Sequence, residues 1–107
     1  MKIQLLLSLL AAHVFADFVF QGAVMATWKN RHKKHPTPCP CWAVWLTAHA
    51  VVNAACVFYV TQSLGLAIAE FILHWLIDLA KCEGQLGPHR DQLLHVICKV
   101  TYWGLLL

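Results

Sequence analysis

Acidic, basic and imidazole side chains recur at four-residue intervals in four apolar stretches of this 107-residue chain. Because residues i, i+4 and i+8 lie on one face of an α-helix, each series forms a polar stripe. The series are His13/Asp17/Gln21, His49/Asn53, Glu70/His74/Asp78 and Asp91/His95/Lys99. A buried aspartate or lysine costs about 2.5–3.5 kcal/mol at the centre of a membrane helix. We therefore expect the stripes to face one another and not lipid.

These residue types suit a metal ion, since imidazole and carboxylate are usual ligands of zinc, manganese and iron. The predicted cofactor is a divalent ion of one of these metals, and its predicted ligands are Asp17, His49, His74, Asp78, Asp91 and His95. The side chains expected to surround the ligands or orient a substrate are His13, Gln21, Asn53 and Gln92. Glu70 and Lys99 are expected to pair deeper in the bundle. A purely structural polar network and a proton or ion pathway are the alternatives.

The composition indicates what carries these stripes. Hydrophobic residues make up 60% of the chain and charged residues 12%, against about 45–50% and 25% in soluble domains. This excludes a disordered tail and argues against a soluble globular domain. The predicted fold is all-α, a single domain over residues 1–107: a polytopic integral membrane bundle of four short transmembrane helices. The predicted spans are 3–28, 42–62, 64–80 and 91–107.

Basic residues predict the orientation of the bundle. The loop 29–41 carries Lys29, Arg31, Lys33 and Lys34, and the loop after the third span carries Lys81 and Arg90. Because short basic loops stay in the cytoplasm, both termini are predicted outside it. Lys2 opposes this orientation, and the first segment also resembles a cleavable signal peptide, a less favoured interpretation. The basic cluster has no second basic face and does not indicate nucleic-acid binding.

Two further groups have ordinary explanations. His32, His35, Cys39 and Cys41 could in principle hold zinc, but the Cys-x-Cys spacing among prolines matches no common structural zinc site, and a reduced loop is favoured. Aromatic residues near the span ends are expected to form an interfacial belt and not a ligand-stacking box. These aromatic residues are Trp28, Trp42, Trp45, Tyr59, Tyr102 and Trp103.

The order of the polar motifs resembles a known family. Ala12-His13, Asp17-Phe18 and Gln21, then Ala48-His49-Ala50, then His74, Asp78 and Lys81, and finally Asp91-Gln92 and His95, are similar to motifs of small bacterial and phage inner-membrane proteins forming a domain family of unknown function. The chain is also distantly similar to membrane-bound proteins described as metal-dependent hydrolases. The resemblance implies a polytopic membrane protein with a shared polar site, but it supplies no reaction. The cysteine-containing loop, Glu70 and Lys99 lie outside the pattern.

The sequence leaves two classes of function open. The first is a membrane-embedded metal-dependent hydrolase at the cytoplasmic leaflet, acting on a lipid-linked or phosphate-containing substrate such as an anionic lipid. A metal-activated water would be the nucleophile, an unligated carboxylate the base, and Gln21 and Gln92 would orient substrate. The second is a non-catalytic adaptor, of phage or bacterial origin, that modulates a host membrane protein. An oligomeric proton or ion conduit is less favoured. The expected partners are the bilayer, a membrane protein or further copies of the chain.

Overall fold

Five α-helices and one π-helical segment form the part of the chain that the computed structural model describes, residues 2–33 and 41–107. The α-helices are α1 (Lys2–Val14), α2 (Gly22–Trp28), α3 (Trp42–Thr61), α4 (Leu64–Cys82) and α5 (Pro88–Leu105). No strand occurs among these residues. The all-α prediction is therefore confirmed for the described residues.

The first predicted span, 3–28, is broken and not one continuous helix. A π-helical segment, Phe15–Val19, follows α1, and the Phe20 amide donates to the Phe15 carbonyl at 2.8 Å. Gly22 then adopts a φ of 68°, a left-handed conformation that glycine reaches without steric cost. The π-helical turn contains one more residue than an α-helical turn, so it rotates the polar stripe at Asp17.

Helices α3 and α4 form the most extensive helix pair of the bundle. Between them Gln62 adopts a φ of 57°, and Ser63 caps α4 by accepting a hydrogen bond from the Leu66 amide at 3.2 Å. Helix α4 continues to Cys82, so Lys81 is helical and does not lie in a loop as predicted. Helix α5 begins earlier than the predicted 91, because Pro88 suits the first turn.

The bundle is polar inside and apolar outside. Among the described residues, seven hydrophobic side chains are buried, whereas eleven polar or charged ones are buried. Twenty-five large hydrophobic side chains are exposed, including Phe18 and Phe20, each 61% accessible. This is the reverse of a water-soluble domain, in which charged groups are seldom fully buried.

One end of the interior is closed by an apolar cap, which consists of Leu9, Val57 and Tyr102. The prediction that Tyr102 belongs to an interfacial belt is wrong, because its ring is only 3% exposed inside this cap. Tyr59, in contrast, is 82% exposed. The polar stripes thus end at a hydrophobic layer on this side of the bundle.

Two segments are long and apolar enough to cross a membrane by length and composition, Lys2–Val19 and Trp42–Thr61. Four spans are therefore not confirmed. Helices α4 and α5 each contain three charged residues, which lowers their hydropathy. Glu70, Asp78, Asp91 and Lys99 among these residues are at most 1% exposed, so they do not face outward.

Candidate metal centre

The six predicted ligands come from four parts of the chain and meet inside the bundle. Asp17 lies on the π-helical segment and His49 on α3, whereas α4 supplies His74 and Asp78 one turn apart. Asp91 and His95 are one turn apart on α5. All six are at most 6% exposed. The structure thus gathers imidazoles and carboxylates, which are usual ligands of divalent metal ions, in one buried space.

Asp17, His49 and His74 form the first ligand group. Asp17 Oδ1 lies 2.9 Å from His49 Nε2 and 3.3 Å from His74 Nε2. One ligand atom of each residue lies within 4.8 Å of the other two. Ligands about 2.0–2.1 Å from a tetrahedral ion are roughly 3.3–3.4 Å apart. The separation from His74 matches this spacing, whereas the separation from His49 is that of a hydrogen bond with Asp17. The three residues could hold a metal ion.

Asp78 connects the first group to α5. Its Oδ2 lies 3.2 Å from His49 Nε2 and 3.6 Å from His74 Nε2, and its Oδ1 lies 3.4 Å from His95 Nε2. Lys29 Nζ donates a hydrogen bond to Oδ2 at 2.6 Å. The two carboxylate oxygens of Asp78 therefore face different imidazoles.

Asp91 and His95 belong to a second ligand group, which Asp17 completes. Asp91 Oδ1 lies 3.3 Å from His95 Nε2. Within the described residues neither atom has a hydrogen-bond partner, although both are buried. A buried polar atom left without a partner is costly, so the pair is well suited to a ligand that satisfies both atoms.

A set of polar contacts holds the ligands from outside. His74 Nδ1 lies 3.2 Å from Glu70 Oε1, and Lys99 Nζ donates to both Glu70 oxygens at 2.6 and 2.8 Å. The expected Glu70/Lys99 pair is thus present. With Nδ1 held by a carboxylate, His74 directs Nε2 toward Asp17, the arrangement that orients histidine ligands in metal proteins.

Gln92 supports the other side of the centre. Its amide nitrogen donates to Asp17 Oδ2 at 3.0 Å and to Asp91 Oδ2 at 3.2 Å, while its oxygen lies 2.9 Å from His13 Nε2. Asn53 contacts the predicted ligand His49 through the backbone, because its amide nitrogen donates to the His49 carbonyl at 3.0 Å. Gln21 contacts Lys29 and no predicted metal ligand among the contacts described.

A family model matches residues 5–106, nearly the whole chain. The chain belongs to the family described as protein of unknown function (DUF3307). The expectation of an uncharacterised family is confirmed, whereas the similarity to membrane-bound hydrolases stays a prediction. No curated protein and no solved structure matches the chain.

Lys29 is a residue of the candidate site in this DUF3307 chain that the sequence analysis does not include. Lys29 follows the end of α2, where the predicted loop begins, but it is only 4% exposed and is bound to Asp78 and Gln21. A signal for this position exists in the sequence. Lys29 follows Gln21 by eight residues and so continues the four-residue series of His13, Asp17 and Gln21. The break at Gly22 and the short helix α2 return its ammonium group to the interior.

The loop zinc alternative falls partly outside the described residues of the DUF3307 chain, since His35 and Cys39 lie there. His32 Nε2 lies 2.8 Å from Glu83 Oε2, and the Arg31 guanidinium donates to both oxygens of Glu83. The hydrogen bonds from Arg31, followed by that from His32, lower the pKa of the Glu83 carboxyl to about 2. His32 is therefore engaged by an acidic residue at the end of α4.

Proposed function

We propose that this chain is an integral membrane protein that spans the bilayer with four segments and binds a divalent transition metal ion among Asp17, His49, His74 and Asp78. The first support is the distribution of side chains, with eleven polar or charged residues buried and large hydrophobic ones outside. The long dimension of the molecule, 46 Å, compares with about 40–45 Å for a bilayer with its headgroups. Four of the six charged residues on α4 and α5, namely Glu70, Asp78, Asp91 and Lys99, are buried in the interior, so the mean hydropathy of these helices understates how apolar their outer faces are.

The observation that carries the metal proposal is the convergence of two imidazole Nε2 atoms on Asp17 Oδ1, at 2.9 and 3.3 Å. His74 Nε2 has no hydrogen-bond partner in the described part of the chain, and its other nitrogen is held by Glu70. A polar network built only for helix association would be expected to pair such an atom. An ion between these ligands would satisfy it.

We further propose that the metal serves hydrolysis of a lipid-linked or phosphate-containing substrate at the cytoplasmic leaflet. In this reaction water adds to phosphorus, the ester P–O bond breaks and the leaving oxygen takes a proton. A bound divalent ion activates water and offsets developing negative charge. Lys81, 37% exposed with Nζ 3.6 Å from Asp91 Oδ2, would attract an anionic group toward the Asp91 side of the site. The apolar cap closes the opposite end.

A non-catalytic membrane adaptor is the second candidate, in which the polar centre only holds the helices together. It is favoured by the near-complete burial of the cluster, since His49, His74 and His95 are 0% exposed. A proton or ion conduit is less favoured, because Leu9, Val57 and Tyr102 interrupt the polar axis.

The test is metal analysis of detergent-purified protein, isolated through a histidine-free tag and loaded with Zn²⁺ or Mn²⁺ before extensive dialysis. Wild-type protein is expected to retain metal in stoichiometric amount, and His74→Ala and Asp78→Ala are expected to lose it. His89→Ala is the matched control, because His89 is exposed on the same protein. Metal-free wild-type protein after loading would overturn the proposal.

The adaptor predicts a different result in thermal unfolding. If the centre is only structural, His74→Ala lowers the melting temperature equally with and without added metal. If it binds metal, the ion raises the melting temperature of wild-type protein and of His89→Ala but not that of His74→Ala. The hydrolase assignment further requires metal-dependent release of phosphate from an ester substrate, and retention of metal without such activity favours the adaptor.

A further inference from the structure

We infer that the centre holds two divalent ions, bridged by the carboxylates of Asp17 and Asp78, and that its ligand is a phosphate ester. This inference rests on the proposed metal site and extends it. His49 and His74 would serve the first ion, and Asp91 and His95 the second.

Asp78 has the geometry of a bridging ligand. Its Oδ2 faces His49 and His74, with the shorter separation 3.2 Å, whereas its Oδ1 lies 3.4 Å from His95 Nε2. A carboxylate that served one ion would not need to direct its second oxygen at the ring nitrogen of a further histidine. A carboxylate that bridges two ions must offer one oxygen to each ion. In Asp78, Oδ2 would serve the ion of His49 and His74, and Oδ1 would serve the ion of His95.

Asp17 belongs to both ligand groups, once with His49 and His74 and once with Asp91 and His95. Its two oxygens are also divided, because Oδ1 lies 2.9 Å from His49 Nε2 and Oδ2 lies 3.0 Å from the Gln92 amide nitrogen. Gln92 in turn contacts Asp91. Asp17 thus lies between the histidines of the first ligand group and the residues of α5.

The second group carries its own unsatisfied atoms. Asp91 Oδ1 and both ring nitrogens of His95 are buried and lack hydrogen-bond partners in residues 2–33 and 41–107. Asp91 Oδ1 and His95 Nε2 are 3.3 Å apart, the spacing of about 3.3–3.4 Å expected between ligands of one tetrahedral ion. A third combination, Glu70, His74 and His95, also clusters. It is less suitable because the Lys99 ammonium group binds both oxygens of Glu70, whereas the hydrogen bond from Lys29 to Asp78 is to Oδ2 and not to Oδ1.

Charge indicates the class of ligand. Four carboxylates and two ammonium groups are buried, which leaves a formal charge of −2 when the histidines are neutral, as metal ligands must be. The residues concerned are Asp17, Glu70, Asp78, Asp91, Lys29 and Lys99. One divalent ion neutralises this charge, and a second leaves an excess that a phosphate group would balance. Paired ions about 3.5–4 Å apart are the arrangement that serves phosphoryl-ester hydrolysis.

The experiment counts Mn²⁺ bound to detergent-purified protein by equilibrium dialysis, with and without inorganic phosphate. Wild-type protein is expected to bind two ions per chain in phosphate, with the second binding more weakly when phosphate is omitted. Electron paramagnetic resonance of the same sample is expected to show the halved hyperfine splitting of an exchange-coupled pair. His95→Ala is expected to bind one ion, and the control His89→Ala two.

Each other outcome has a distinct meaning. One ion per wild-type chain under all conditions overturns the pair and leaves the proposed metal protein intact. No bound ion overturns both proposals. Two ions without exchange coupling overturn the bridging roles of Asp17 and Asp78, and two coupled ions in His95→Ala overturn the assignment of His95. The wild-type measurements decide the stoichiometry even if the His95 variant fails to fold.

Discussion

Replacing Lys99 by methionine removes the ammonium group that compensates Glu70 inside the bundle. The two side chains are 2% and 1% exposed, and Lys99 Nζ lies 2.6 Å from Oε1 and 2.8 Å from Oε2. Methionine has similar length but no charge, so Lys99→Met leaves a buried carboxylate without its cation. We expect a loss of about 3–5 kcal/mol in the free energy of unfolding, the usual cost of breaking a buried ion pair from one side.

The double variant separates the pair from its surroundings. Glu70→Gln leaves Lys99 uncompensated and should cost a similar amount, although the glutamine oxygen can still contact His74 Nδ1. The double variant, Glu70→Gln with Lys99→Met, removes both charges. Its loss in the free energy of unfolding is expected to be smaller than the sum of the two single losses by about 2 kcal/mol or more. The assay is reversible unfolding in mixed micelles, followed by circular dichroism. Losses that add within about 0.5 kcal/mol would refute the pairing, because independent sites behave in that way.

Three other predictions concern the interior cation, the surface pair and the termini. Lys29→Met should destabilise the metal-free protein by about 3–5 kcal/mol, because it leaves the buried Asp78 carboxylate without its cation. Saturating Zn²⁺ should restore much of the lost stability, as measured by thermal unfolding. A loss of stability that Zn²⁺ does not change would contradict this prediction. The stability difference between wild type and Glu83→Gln should persist above pH 4.5 and disappear as pH falls to about 2. The reason is that the folded-state pKa of Glu83 is lowered to about 2. An equal difference at pH 2 and pH 7 would refute the role of the pair with Arg31. An alkaline phosphatase fused after Leu107 should be active, because it would lie outside the cytoplasm, and a green fluorescent protein fused at the same position should not fluoresce. The reverse pattern would exclude the proposed orientation, in which both termini lie outside the cytoplasm.

The sequence predicts much of the arrangement because the helix period is regular. His74 and Asp78, or Asp91 and His95, must share a helix face when four residues separate them. In the proposed membrane protein, the high cost of charge in lipid would turn these faces toward one another. The residues thereby brought together include all six predicted ligands, whereas their metal-binding role stays a prediction.

Other features depend on tertiary contacts, which the helical periodicity of the sequence does not predict. The π-helical turn at Asp17 and the left-handed Gly22 break the first span, although its apolar run is nearly continuous. The position of Lys29 after that run indicates a loop charge, whereas in the fold its ammonium group binds Asp78 inside the bundle. Tyr102 resembles an interfacial residue by position, yet packing against Leu9 and Val57 buries it. In each case a contact between distant segments decides the outcome.

X-ray absorption at the zinc edge of the loaded, detergent-purified protein tests most directly whether the buried His/Asp cluster binds metal. The structure predicts only nitrogen and oxygen ligands, at about 2.0–2.2 Å, with scattering from imidazole rings. A sulfur ligand at about 2.3 Å would contradict this result, because none of the proposed ligands carries sulfur. A shell of oxygen alone would also contradict it, because His49 and His74 would then not bind the ion.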